Sequence, residues 1–249
     1  MFNFLPRAEP DKLTDSPLVT VIAQVRFNNQ DALSKHQGAS AFHNAVADRY
    51  PRYLAESQST ITANPGGVSS SAIPQWRLTD FENEWACVVG PEQLSIETKA
   101  YSTWESMRER LDEAMRALDG VTQPRVRERI GLRYVNHISP DAGRSYTGMV
   151  NSQLLGLTET PGWKDALTLS LSQLVISDGT AQIAVRYGRG PAQVGLPENA
   201  WVLDIDCADE KPAQFDTAAV MSYFDDLNDA ALRCFYASLG SVLKSTLGG

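Results

Sequence analysis

The chain has 249 residues, 43% apolar and 21% charged, with a formal net charge of −8. That length serves one large or two small globular domains, and the composition excludes extended disorder. The excess of acid argues against binding that rests on neutralising phosphates with Lys and Arg, so nucleic acid is disfavoured as a partner.

Residues 1–16 are polar with Pro6 and Pro10, and predict a loose arm. They lack the basic, apolar and small-residue succession of a signal peptide, and no run reaches the ~18 apolar residues of a membrane span, so a cytoplasmic protein without membrane contact is expected. Leu18–Phe27, LVTVIAQVRF, reads as a strand from its β-branched alternation. Asp31 to Arg49 predicts a helix with Leu33, Phe42 and Val46 inward and Pro51 beyond its end. Asn64–Ser71, NPGGVSSS, reads as a flexible loop. Three strands follow at Ile73–Asp80, Trp85–Val89 and Leu94–Lys99, whose short connections predict an antiparallel meander. Trp104, Met107, Leu111, Ala114, Met115 and Leu118 recur at helical spacing, with a Ser102/Glu105 capping box before them and Gly120 as the stop.

The second half repeats the pattern. Arg125–Ile138 is a strand, Thr147–Leu157 a short helix, and Thr160-Pro161-Gly162 a turn. Strands are predicted at Ala166–Ser177, Ala181–Arg189 and Ala200–Cys207. A long last helix starts at Asp216 as N-cap; Val220, Phe224, Leu227, Ala231, Cys234, Phe235, Val242 and Leu243 form its apolar face, and Gly248-Gly249 ends it. The order is β-α-βββ-α twice, over 17–122 and 123–249. Val25-Arg26-Phe27 near the end of one opening strand matches Leu132-Arg133-Tyr134 in the other. The expected fold is α+β: two tandem repeats packed as one unit, a mostly antiparallel sheet with helices on one face, as in the TATA-binding type of two-repeat arrangement.

Strand parity places Val19, Val21, Ala23, Val25 and Phe27, and later Leu203, Ile205 and Cys207, in the core. The opposite face receives Gln24, Arg26, Glu97, Arg125, Arg127, Arg129, Arg133, Arg186, Asp204 and Asp206, with Asn136 just past Arg133. Four arginines along one strand face repel, so they need acidic neighbours or an anionic partner. Either Asp204, Asp206 and Glu97 pair internally with Arg133, Arg186 and Arg26, or this face binds something; Arg26, Arg125, Arg127, Arg129, Arg133, Asn136, Arg186, Asp204 and Asp206 are the candidate binding residues.

No catalytic residue is assigned. GxSxG, P-loop and GxGxxG motifs are missing, and His36, His43 and His137 have no metal-ligand spacing. Cys87, Cys207 and Cys234 are odd in number and sit in apolar runs, as buried thiols do. Asp204 and Asp206 share a face, yet no third carboxylate is placed beside them, so neither metal nor cofactor is expected.

Pro17-Leu18 with Val25-Arg26-Phe27, Tyr101-x-x-Trp104, the run Ile130-Gly131-Leu132-Arg133-Tyr134-Val135-Asn136-His137-Ile138, and Leu203-Asp204-Ile205-Asp206 together resemble an uncharacterised, sporadically distributed bacterial family of about this length, over nearly the whole chain. Arg-Ile-Gly-Leu-Arg-Tyr-x-Asn-x-Ile is the most specific part. The family carries no activity to transfer. Its patchy distribution implies accessory genes, as in defence or toxin neutralisation. The expected function is a non-enzymatic binding protein acting by protein–protein contact; the alternative is a ligand- or nucleic-acid-binding module using the arginine-bearing face. A third reading is an unrecognised metal-dependent enzyme at Asp204 and Asp206.

Overall fold

The structure, a computed structural model of the chain, describes residues 1–7, 16–64, 67–140, 145–190 and 200–247, with the side chains of 58–64 and 67–71 left aside. It is α+β. Among the described residues the strands are β1 Leu18–Phe27, β2 Arg52–Asn64, β3 Gly67–Thr79, β4 Trp85–Gly90, β5 Gln93–Thr98, β6 Val126–Ile138, β7 Ser170–Ser177, β8 Gln182–Arg189, β9 Trp201–Asp209 and β10 Ala213–Gln214. The helices are α1 His36–Val46, α2 Trp104–Val121, α3 Ser152–Leu155, α4 Thr217–Ser238 and α5 Ser241–Leu247. The ten strands form a sheet in the order β2-β3-β4-β5-β1-β6-β9-β8-β7, with β10 beside β6. No described helix is long and apolar enough to cross a membrane.

The first half differs from its predicted order by one strand. Asn64–Ser71 is not a loop throughout: β2 runs to Asn64, β3 starts at Gly67, and the two pair residue for residue from Arg52↔Thr79 to Asn64↔Gly67. Residues 65 and 66 lie outside the described residues. The predicted helix from Asp31 splits into a 3-10 turn, Asp31–Ser34, and α1, because Lys35 between them is extended. The N-cap of α2 is Thr103, whose hydroxyl accepts from the Ser106 N–H at 3.2 Å, and not Ser102. Gly120 does not stop α2, which runs to Val121.

The chain falls into two compact units. The central unit is Ile22–Gly131 with Glu210–Phe224. Its core takes Ala23, Val25 and Phe27 from β1, Leu78 from β3, Cys87 and Val89 from β4, and Leu94 and Ile96 from β5. Phe42 and Val46 of α1 and Met107, Leu111, Met115 and Leu118 of α2 complete it, all at most 2% exposed.

The terminal unit is Met1–Val21, Leu132–Asp209 and Asp225–Gly249. Ile183 and Val185 of β8, Leu203 and Ile205 of β9, and Leu227 and Ala231 of α4 are buried in it. Residues 1–7 are not loose: Phe2 is 1% exposed and its N–H donates to Asp178 Oδ2 at 2.9 Å. The rest of the predicted arm up to residue 15 lies outside the described residues. The last helix is interrupted at Leu239-Gly240. There the Gly240 N–H donates to Met149 O at 2.8 Å and the Val242 N–H to Gly148 O at 2.8 Å, so the loop before α3 is inserted where one continuous helix was expected.

Candidate binding face

In the central unit the sheet face opposite the core carries long polar side chains, bonded to one another in a single direction. Arg129 Nη1 donates to Gln24 Oε1 at 3.4 Å, and Gln24 Nε2 to Gln93 Oε1 at 3.2 Å. Gln93 Nε2 donates to Gln75 Oε1 at 3.0 Å, and Gln75 Nε2 to Glu56 Oε2 at 3.4 Å. Arg77 then links Glu56 (3.1 Å) to Glu97 (2.8 Å). The chain of donors thus begins at a guanidinium on β6 and ends at a carboxylate on β2.

Two of these links connect β3 to β5 and must pass over β4. The residues of β4 beneath them are small. Gly90 pairs with Gln93, and a Cβ there would come within 3.5 Å of Gln75 Cβ. Val88 pairs with both Arg77 and Ser95, and Ala86 pairs with Glu97. All six residues of β4 are consequently buried, half by the core and half beneath this polar layer. Burial pulls the Arg77 guanidinium down, but the Glu97 and Glu56 carboxylates outweigh it and hold its pKa above the ordinary value.

In the terminal unit β6, β8 and β9 carry one carboxylate shared by two arginines. Asp204, its side chain 6% exposed, accepts from Arg133 Nε at 2.7 Å and Nη2 at 2.9 Å, and from Arg186 Nη1 at 3.2 Å. Arg186 lies directly across from Asp204 in the β8–β9 register. The Asp204 carboxylate raises the Arg133 pKa against the effect of burial, and the charge of Asp206 adds to it. Asn136 does not present its amide on this face: it is 2% exposed and donates to Leu203 O at 3.1 Å.

The predicted row of arginines on β6 is broken up. Arg127 is 7% exposed, its guanidinium lies 5.0 Å from the Tyr223 ring of α4, and it donates to Lys211 O at 3.0 Å. It therefore lies on the helix side, as does Ile130 in the core. Glu128, between them, is exposed. Beyond it, Arg129 folds over Gly131, where any Cβ would collide with its guanidinium. Arg125 lies just before β6 and is exposed; its N–H is held by Asn28 Oδ1 at 2.8 Å. Arg26 faces Glu92 at 3.9 Å, and Glu97 is bonded to Arg77 rather than Arg26.

A cleft of about 690 Å³ opens in the central unit beside this layer. It is lined by Arg26, Asn28, Glu92, Glu128, Arg129 and Glu210 together with Phe27 and Asn29. The two ion pairs across it are loose, Arg26–Glu92 at 3.9 Å and Arg129–Glu210 at 3.7 Å, and the acids are 42% and 65% exposed. A serine, cysteine or histidine is not among the lining residues. Gln75, Gln93, Glu92, Glu128 and Glu210 were not picked out by sequence, because they come from separate elements and only pairing brings them together. No protein-family model matches the chain, and no curated protein matches it.

Proposed function

We propose that this is a non-enzymatic binding protein acting through contact with a protein partner, which sets a basic side chain into the cleft ringed by Glu92, Glu128 and Glu210. The carrying observation is the composition of that cleft: three carboxylates against two guanidiniums, with both ion pairs loose and the acids exposed. A lysine or arginine entering there replaces long ion pairs with short ones in a setting already ordered by the polar layer. The net charge of −8 favours approach of a basic surface.

The arginines support this reading over nucleic-acid binding. Arg77, Arg133 and Arg186 each have a carboxylate within 3.2 Å, which cancels the attraction to phosphate that such binding needs. Asp204 gives both oxygens to guanidiniums, which leaves it poorly suited to a cation. An accessory role in bacterial defence or toxin neutralisation rests on the family resemblance of the sequence. A two-repeat origin of the TATA-binding type is supported by the strand order read outward from β1 and β6. It predicts that, in a crystal structure, Leu18–Gly120 superposes on Arg125–Thr246 with sheets and long helices in the same order.

The experiment is capture from an extract of the encoding cell, with wild type and Glu128→Lys/Glu210→Lys as baits, beside a gel-shift assay with duplex DNA and single-stranded RNA. A protein retained by wild type and lost by the variant is the expected outcome. A shift of nucleic acid at physiological salt, or equal retention by both baits, contradicts the proposal.

A further inference from the structure

We propose that β7 is a dimerisation edge, pairing antiparallel with β7 of a second copy of this chain about a two-fold axis at Gln173. In the sheet order β7 is terminal, and among the described residues no strand covers its outer side. Such an edge exposes a row of N–H and C=O groups ready to pair with another chain. Proteins that keep an edge free protect it with charges, prolines or bulges. Here none is present: from Ala166 to Ser177 the sequence ALTLSLSQLVIS has no charged residue and no proline. The β7–β8 register is unbroken over all eight residues.

The edge also exposes apolar side chains. Of the nine exposed large apolar residues described, five lie between residues 157 and 175, and Leu171 and Val175 are 60% and 53% exposed. These two alternate with Gln173 on the face shared with Arg186, since Gln173 pairs with Arg186.

Self-complementarity selects a second copy as the occupant. A two-fold axis makes residue i face j and j face i. With the axis at Gln173, Leu171 of each copy faces Val175 of the other, and the two Gln173 amides face each other. The nearest charges on that face are the two Arg186 side chains, three strand spacings apart. That is about 14 Å at ~4.8 Å per strand, beyond the ~8 Å screening length at physiological salt.

The test is sedimentation velocity on the full chain up to about 100 μM, where weak specific association is still visible. Wild type is expected to sediment as two chains of 27.3 kDa each. Leu171→Lys/Val175→Lys sets lysine against lysine twice and should weaken the dimer at least ~100-fold. Leu171→Lys/Val175→Glu sets lysine against glutamate in the same register and should stay within ~10-fold of wild type. Both pairs of changes are at exposed positions and burden folding alike. A single-chain mass for wild type over the whole range overturns the proposal and leaves the edge to a foreign strand. Equal behaviour of the two variants overturns the register.

Discussion

Removing both arginines from Asp204 should cost more than the two single changes together. Arg133→Ala takes away two charge-assisted hydrogen bonds, at 2.7 and 2.9 Å, and leaves Asp204 the Arg186 bond at 3.2 Å. Each bond to a charged group contributes ~1.5–3 kcal/mol when dry. Arg133 is 42% exposed, so water replaces part of that, and a loss of about 1–2 kcal/mol is expected. Arg186→Ala removes one longer bond and should cost ~0.5–1 kcal/mol. The double variant leaves a carboxylate that is 6% exposed with neither partner. An uncompensated buried charge costs ~3–5 kcal/mol, so the double loss should exceed the sum by about 1–2 kcal/mol. Adding Asp204→Asn to the double variant should recover most of that excess, because the group left behind is no longer charged. Urea unfolding of the four variants and wild type, with slopes compared to exclude a change in the transition itself, gives these differences. Strict additivity, or no recovery by Asp204→Asn, would refute the reasoning that one acid holds both arginines.

Gln93→Leu should cost ~1–2 kcal/mol, since it leaves Gln24 Nε2 and Gln75 Oε1 without their partners in the polar layer; an unchanged urea midpoint would show that water serves those groups equally well. Phe224→Ala, at a side chain 0% exposed on α4, should cost ~3–5 kcal/mol by calorimetry or urea, and a melting temperature equal to wild type would contradict the packing. Burial raises all three thiols, Cys234 to about 11, so none should react with a thiol reagent at neutral pH until the chain unfolds, when three react. Burial lowers the His137 pKa below 6.5, so the folded state disfavours its charged form. Its contribution is complete above pH 6.5 and is lost as pH falls below that; His137→Gln should flatten this part of a stability–pH curve, and an identical curve would remove His137 as its source.

The parts of the fold that sequence made legible are those where side-chain alternation and burial coincide. LVTVIAQVRF yields β1 at both bounds, and Asp216 caps α4 by accepting the Ala219 N–H at 2.7 Å. β2 was missed because RYLAESQSTITAN has little apolar alternation; it is a strand through thirteen pairings with β3, which a local reading does not register. Ser102 and Thr103 offer the same hydroxyl, and only the backbone decides which one caps α2. The site was legible in type and not in arrangement. The Asp204 pairing with Arg133 and Arg186 is one of the two readings that strand parity leaves open, internal pairing or a binding face. Arg127 does not follow parity, because its side chain turns to the Tyr223 ring and the Lys211 carbonyl, partners some ninety residues away along the chain that alternation does not register. The glutamine relay depends on Gly90 and Val88 being small enough for side chains from β3 and β5 to meet above β4, a relation among three strands.

A binding isotherm of the captured partner on wild type and on Glu128→Lys/Glu210→Lys, each run at two salt concentrations, tests the glutamate-ringed cleft as the binding site. A basic side chain seated among Glu92, Glu128 and Glu210 predicts at least ~10-fold weaker binding by the variant, a gap that narrows at high salt, and a melting temperature within ~2 °C of wild type because both glutamates are exposed. Equal affinity of the two proteins at low salt, with the variant folded, would contradict the assignment of this cleft as the binding site.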